Sequence, residues 1–145
     1  MIAGISRSIR RLKNGEMAEF DLKTPHVSCI YYLYRANAPL TAKEICDLCD
    51  EDKAAISRSL VYLEKNGFIR CLSDARKRYR SPMVLTDKGN EIGAKLATKI
   101  DSILALAGEG MSDKERAEFY RCLRIIHDNL QSICDKYDSL DGDNG

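Results

Sequence analysis

Apolar side chains recur along most of this chain at helical spacing. Ile2, Ile5, Ile9 and Leu12 fall three and four residues apart, which predicts one apolar stripe on a short helix over residues 2–13. The NGEMAEFD stretch after it predicts a loop or helix break around Gly15. In LKTPHVSCIYYLYRAN, Thr24 reads as an N-cap and Pro25 as the first helical residue. The nearly continuous apolar run that follows predicts a helix buried on most sides. Thr41 and Glu44 form a T-x-x-E capping box with Leu40 ahead of it as a hydrophobic staple, opening a short helix over residues 42–49.

A third start follows at once. Asp50, Glu51 and Asp52 stand where the positive end of a helix dipole favours carboxylates. Ile56, Leu60 and Leu63 supply its buried face, and Gly67 after Asn66 predicts a left-handed stop. FIRCLS and SPMVLT are short and β-prone, with DARKRYR between them, and together predict a hairpin with a basic tip. Thr86 then caps a long helix, Asp87–Ala107, with Ile92, Leu96, Ile100, Ile103 and Ala107 on one face. GEGMS breaks it, and Ser112 with Glu115 forms a second capping box. The last helix spaces Phe119, Leu123, Ile126, Leu130 and Ile133 by four and three, a heptad-like seam. The acidic stretch 138–145 predicts a disordered tail.

The fold class predicted is mainly α with a small β-hairpin wing: a winged helix-turn-helix with N- and C-terminal dimerisation helices. Its expected organisation is 1–34 for N-terminal helices, 35–89 for the DNA-binding lobe, 90–137 for C-terminal dimerisation helices, and then the tail. The two terminal apolar stripes each need a surface to bury against. Ile5, Ile9, Leu12, Phe119, Leu123, Ile126, Leu130 and Ile133 are the candidate residues for that burial against a partner surface.

Charge sharpens this picture. The chain of 145 residues has a formal net charge of only +1. Residues 1–100, however, carry 18 Lys and Arg against 12 Asp and Glu, whereas 101–145 carry 5 against 10. One region attracts a polyanion and the other repels it. Arg76, Lys77, Arg78 and Arg80 concentrate cations on the hairpin tip, where they can reach phosphates or a minor groove. A helix fits the major groove, and with Ile56, Leu60 and Leu63 inward, Lys53, Ala54, Ser57 and Arg58 face out, Val61 beside them. Arg58 is the candidate for a bidentate guanine contact and Ser57 for a base edge or phosphate. Thr41 joins this DNA-facing set. No apolar run reaches membrane-span length, and Arg7, Arg10 and Arg11 are not followed by the apolar segment of a secretory signal, so an intracellular, cytoplasmic protein is expected.

On these residues the chain resembles the MarR family of bacterial and archaeal transcriptional regulators. Asp74 and Arg76 match the family's D-x-R, and LTDKG from Leu85 to Gly89 matches its L-T-x-K-G. LEKNGFI matches the end of its recognition helix, and KTPHVSCIYYL the entry to its second helix, with His26 where Gln is common. The resemblance is specific over residues 41–89 and architectural across about 5–137. It implies a homodimer with interleaved terminal helices on a palindromic double-stranded DNA operator. It also implies an Arg76 that enters the minor groove, oriented by Asp74. Repression relieved by a small aromatic effector, with Tyr31, Tyr32 and Tyr34 as a candidate pocket, is the expected mode of action. Where the family commonly has a Ser/Thr pair, this chain has Ala54-Ala55, which can touch a thymine methyl but donates no hydrogen bond.

Two other readings use the same scaffold. One is a thiol- or zinc-responsive sensor through Cys46 and Cys49 or Cys29; the other is a winged-helix module that binds protein. Zinc wants four ligands, and no second pair matches the Cys46-x-x-Cys49 spacing. Ile45 and Leu48 interleave these cysteines inside a short helix, so packing thiols are expected. Disulfides among the six cysteines are not expected in a reducing compartment. His26 and His127 read as surface or core-edge residues. No nucleophile motif, phosphate loop or dinucleotide loop is present, so no enzyme, metal or cofactor is expected.

Overall fold

The structure, a computed structural model, describes residues 1–16, 18–49, 51–72 and 81–141. Its elements run α1 (Ile2–Glu16), a 3₁₀ turn (Ala18–Phe20), α2 (Thr24–Ala36), α3 (Ala42–Leu48), α4 (Lys53–Lys65), β1 (Ile69–Cys71), β2 (Met83–Leu85), α5 (Asp87–Ala107) and α6 (Asp113–Asp141). Met1–Ser102 and Ile103–Gly145 are two compact units, with α5 passing from the first into the second.

In the first unit, α2, α3, α4, the hairpin and the early turns of α5 surround one core. Cys29, Ile30, Ile45, Ile56, Leu63 and Leu96 are its fully buried side chains, and Ile92 and Ile100 pack at its edge. Residues from four different helices are thereby removed from water together, at roughly 1.5–3 kcal/mol for each large aliphatic side chain. β1 and β2 pair antiparallel, with Ile69 opposite Leu85, Arg70 opposite Val84 and Cys71 opposite Met83. Leu40 adds a bridge to the other side of Met83, its N–H donating at 3.0 Å and its carbonyl accepting at 2.8 Å. The expected staple residue thus also ties the turn before α3 to the wing.

Helix α1 ends at Glu16, one residue past Gly15, where the sequence placed the break. Two local expectations need correction. Thr24 is not the N-cap of α2. Lys23 holds that position with extended backbone, and Thr24 is already helical. Lys has no acceptor to cap with. Instead His26 Nδ1 accepts the Lys23 N–H at 3.3 Å, the reciprocal half of a capping box. Finally, α6 runs on to Asp141, into the stretch expected to be a disordered tail.

In the second unit the Ser112–Glu115 box is present in full. The Ser112 N–H and hydroxyl donate to Glu115 Oε2 at 2.8 and 2.6 Å, and the Glu115 N–H returns to the Ser112 hydroxyl at 3.3 Å. These bonds hold the Glu115 carboxyl below its ordinary pKa. No described residue of α6 is buried. Phe119, Leu123, Ile126, Leu130 and Ile133 lie along it about half exposed, as Ile5, Ile9 and Leu12 do along α1.

Candidate functional site

The helix that would meet DNA, α4, is built locally. Asp52 is its N-cap and accepts the Ala55 N–H at 2.8 Å. At the other end Asn66 Nδ2 donates to the Tyr62 carbonyl at 2.8 Å, and Gly67 turns the chain at φ +73°. Ile56, Ser59, Leu60 and Leu63 are buried, and the Ser59 hydroxyl is spent on the Ala55 carbonyl at 2.8 Å. That leaves Lys53, Ala54, Ser57, Arg58 and Val61 exposed on the opposite side. The outward set inferred from periodicity is thus exposed on α4, together with Tyr62 and Lys65.

Helix α3 stands before it with Thr41 as N-cap. The Thr41 N–H and hydroxyl each donate to Glu44 Oε2 at 2.7 Å, and the Glu44 N–H donates back to the hydroxyl at 3.3 Å. The Thr41 hydroxyl is therefore committed to its own helix and offers a ligand only an acceptor lone pair. These bonds also hold the Glu44 carboxyl below its ordinary pKa.

The LTDKG stretch joins α4 to the wing, a positioning role that sequence reading matched to a family but did not explain. The Thr86 hydroxyl donates toward the carbonyls of Gly67 (2.6 Å) and Phe68 (3.2 Å), and accepts the Gly89 N–H at 3.1 Å, capping α5. Lys88 Nζ donates to the Asn66 carbonyl at 2.9 Å and lies 4.0 Å from the centre of the Phe68 ring. A cation on the last carbonyls of α4 also complements its dipole. Gly89 sits so close that a Cβ there would be 2.0 Å from the Phe68 carbonyl oxygen. The signal for this clamp was present as Thr and Gly three residues apart at a helix start. Its partners, 18 and 19 residues upstream, were not legible.

His26 holds α4 from the α2 side. Its ring stacks on Tyr62 with centroids 4.2 Å apart and planes 1° from parallel. It is 8% exposed, a core-edge residue. Burial first, and then the neighbouring Lys23 charge, lower its pKa below the ordinary 6.5. The unfolded chain takes up a proton there at a pH where the folded chain does not, so stability falls as pH drops from about 7 through 6.5. Urea midpoints of the wild type are expected to decrease between pH 7.5 and 5.5, and His26→Gln to lose that part of the slope. An unchanged slope in the variant would assign the acid sensitivity to other groups.

The remaining candidates separate. Tyr31 accepts from Arg35 Nε at 3.3 Å, and Arg35 pairs with Asp101. Tyr32 packs against the core. Tyr34 lies against Gly93, where a Cβ would come within 2.8 Å of its ring. Of the three, Tyr34 lines a cavity of about 180 Å³ with Leu33, Pro39, Val84 and Leu85.

Cys46 and Cys49 do not act as a pair. Cys49 is buried and hydrogen-bonds the Cys29 thiol, which that bond and burial push well above the ordinary thiol pKa. Cys46 is half-buried and lines a groove beside α4 and the hairpin strands. The pairing between Cys29 and Cys49, on different helices, had no sequence signal. Among the described residues no group of three His, Cys, Asp or Glu could hold a metal ion. Among them, too, no helix is long and apolar enough to cross a membrane. Asp74, Arg76, Lys77, Arg78 and Arg80 lie outside the described residues.

The sequence model of the MarR family matches residues 20–78. The chain is similar in fold to the S. aureus MepR–DNA complex, at 20% identity and TM-score 0.73, covering 89% of this chain and 93% of that one. It is similar to the transcriptional regulator PA3341, at 24% identity and TM-score 0.79, covering 90% and 96%. It is similar as well to NMB1585, a MarR family regulator from Neisseria meningitidis, at 16% identity and TM-score 0.75, covering 93% and 94%. No curated protein sequence matches significantly.

Proposed function

We propose that this chain, whose residues 20–78 match the sequence model of the MarR family, is a winged-helix transcriptional regulator of that kind and acts as a homodimeric repressor on a palindromic DNA operator. The match to the family model supports a regulator rather than an enzyme. The observation that carries the finer reading is the two-sidedness of α4. Ile56, Leu60 and Leu63 anchor it, while Lys53, Ala54, Ser57 and Arg58 stand exposed on one face. Arg58 reads a guanine edge, Ser57 a base or phosphate, Ala54 a thymine methyl, and Lys53 a phosphate. On the hairpin tip, Arg76 enters the minor groove with Asp74 orienting it, and Lys77, Arg78 and Arg80 meet phosphates. That a similar fold, MepR, occurs in complex with DNA supports this placement.

Repression requires that both reading helices be held at the spacing of successive major grooves, about one helical turn. The half-exposed apolar stripes of α1 and α6 supply the surfaces for such a dimer. Release by a small aromatic effector follows if occupancy changes that spacing. The cavity beside Tyr34 is the candidate seat, because it touches α2, β2 and α5, the elements that support the wing.

Fluorescence anisotropy on DNA from the chain's own upstream region tests this. Affinity is expected to fall steeply with salt, since bound cations displace condensed counterions, and Lys53→Ala to reduce the log–log slope by about 1. Arg58→Ala is expected to weaken binding by roughly 1–3 kcal/mol and to relax preference at one base position. No binding at low salt, or a flat salt response, overturns the reading.

A further inference from the structure

A groove of about 260 Å³ opens between α3, α4 and the hairpin, and three sulfur-bearing side chains from three elements line it: Cys46, Cys71 and Met83. Two of them are placed by strand register. Cys71 and Met83 are direct partners across the antiparallel pair, and such partners project their side chains to the same face about 5 Å apart. Met83 cannot move away, because Leu40 bridges its backbone on the other edge. Cys46 enters from α3, four residues after Ala42, which lines the same groove. Both thiols are free and half-buried, sheltered yet reachable from solvent.

The geometry points to a binding site for a soft monovalent cation, of the Cu(I) or Ag(I) class, held by the thiolates of Cys46 and Cys71 and the thioether of Met83. Thiolate and thioether are the donors that select such ions. Zinc is disfavoured here, since it wants four nitrogen, oxygen or thiolate ligands and does not ordinarily take a thioether. A hard divalent cation is disfavoured as well. It needs six or more oxygens, and Glu64 is the single carboxylate in the lining, with the Lys53 ammonium opposing a cation. No electron transfer is involved. As each thiol sulfur bonds the metal its hydrogen leaves to water as a proton, two per ion, while Met83 contributes a lone pair and loses nothing. The site is independent of the DNA-binding proposal, although Lys53 and Ser57 line the same groove and bring it beside the face assigned to DNA.

The test is an anaerobic titration of the reduced full-length protein with Cu(I) against a chromophoric chelator such as bicinchoninate. One ion per chain is expected to be withheld from the chelator. Cys46→Ser and Cys71→Ser should each weaken it by roughly tenfold or more, since even ligand-supporting residues are worth that much. Met83→Leu, which keeps volume and apolarity, should weaken it less. Cys122→Ser and Cys134→Ser, on the exposed cysteines of α6, should leave it unchanged. X-ray absorption on the loaded wild type should show a sulfur-only shell of three, a readout that stands even if a variant fails to fold. An ion retained in both groove variants, an ion lost only with Cys122 or Cys134, or a shell containing nitrogen or oxygen would each overturn the site and leave an apolar groove.

Discussion

Replacing Ile126 and Leu130 together by Asp is expected to convert the proposed dimer to a monomer and to abolish its binding to the proposed operator. Both side chains lie on the α6 seam, 53% and 56% exposed within one chain. A two-fold interface would bury each of them twice. Each is already about half-buried within one chain, so four side chains at about 1 kcal/mol each amount to roughly 4 kcal/mol, or a dimer constant weaker by about 10³. Charges forced against an apolar partner surface add to that loss. A nanomolar dimer would then dissociate at micromolar concentration. DNA affinity would collapse with it, because one reading head keeps only its own half-site. Sedimentation equilibrium gives the state, and circular dichroism shows whether the helices persist. A variant that remains dimeric would remove the seam from the interface and leave the stripe on α6 unexplained.

Gly89→Ala is expected to be the most damaging single-atom change within the first unit. The added Cβ would lie 2.0 Å from the Phe68 carbonyl oxygen and 3.0 Å from Leu85 Cδ2. The carbonyl cannot retreat freely, since it accepts from the Thr86 N–H at 3.0 Å and from the Thr86 hydroxyl. Overpacking of this kind costs about 1–3 kcal/mol and sometimes more. Relieving it means sliding α5 away from the end of α4, which disconnects the wing from the reading helix. The urea midpoint should therefore fall. At temperatures where the variant is still folded, DNA affinity should fall further than stability alone requires. Gly15→Ala is the matched control. It is helical with open space around it, and is expected to be neutral or stabilising by up to about 1 kcal/mol. Equal stability of Gly89→Ala and wild type would show that the LTDKG clamp is not a close contact.

The two variants mark the border between what a linear reading reaches and what it does not. The α6 seam was visible because a helix repeats its face every three or four residues, and five apolar side chains sampled it. The outward residues of α4 were visible for the same reason, as the complement of Ile56, Leu60 and Leu63. Capping by Thr41, Asp52 and Ser112 was visible because each cap satisfies N–H groups within one turn of itself. The start of α2 was misread at Thr24 because the preference for Thr at a cap is weak beside the backbone geometry that Lys23 adopts and the acceptor that His26 supplies. Cys46 and Cys49 were expected to be packing thiols, but their partners could not be read, because C-x-x-C is a spacing whereas thiol partnership depends on which helices meet. Cys49 meets Cys29 across the core, and Cys46 faces the hairpin.

Composition and periodicity by themselves determined the order of the helices, the place of the hairpin, the buried face of α4 and the segregation of charge. All of these follow from forces that act within a turn or two of the chain. Only the tertiary structure decided how LTDKG holds α4, why residue 89 must lack a side chain, and which sulfurs share a groove. Those depend on backbone and side chains brought together from distant positions, where closeness is set by packing the whole core and leaves no trace in local spacing.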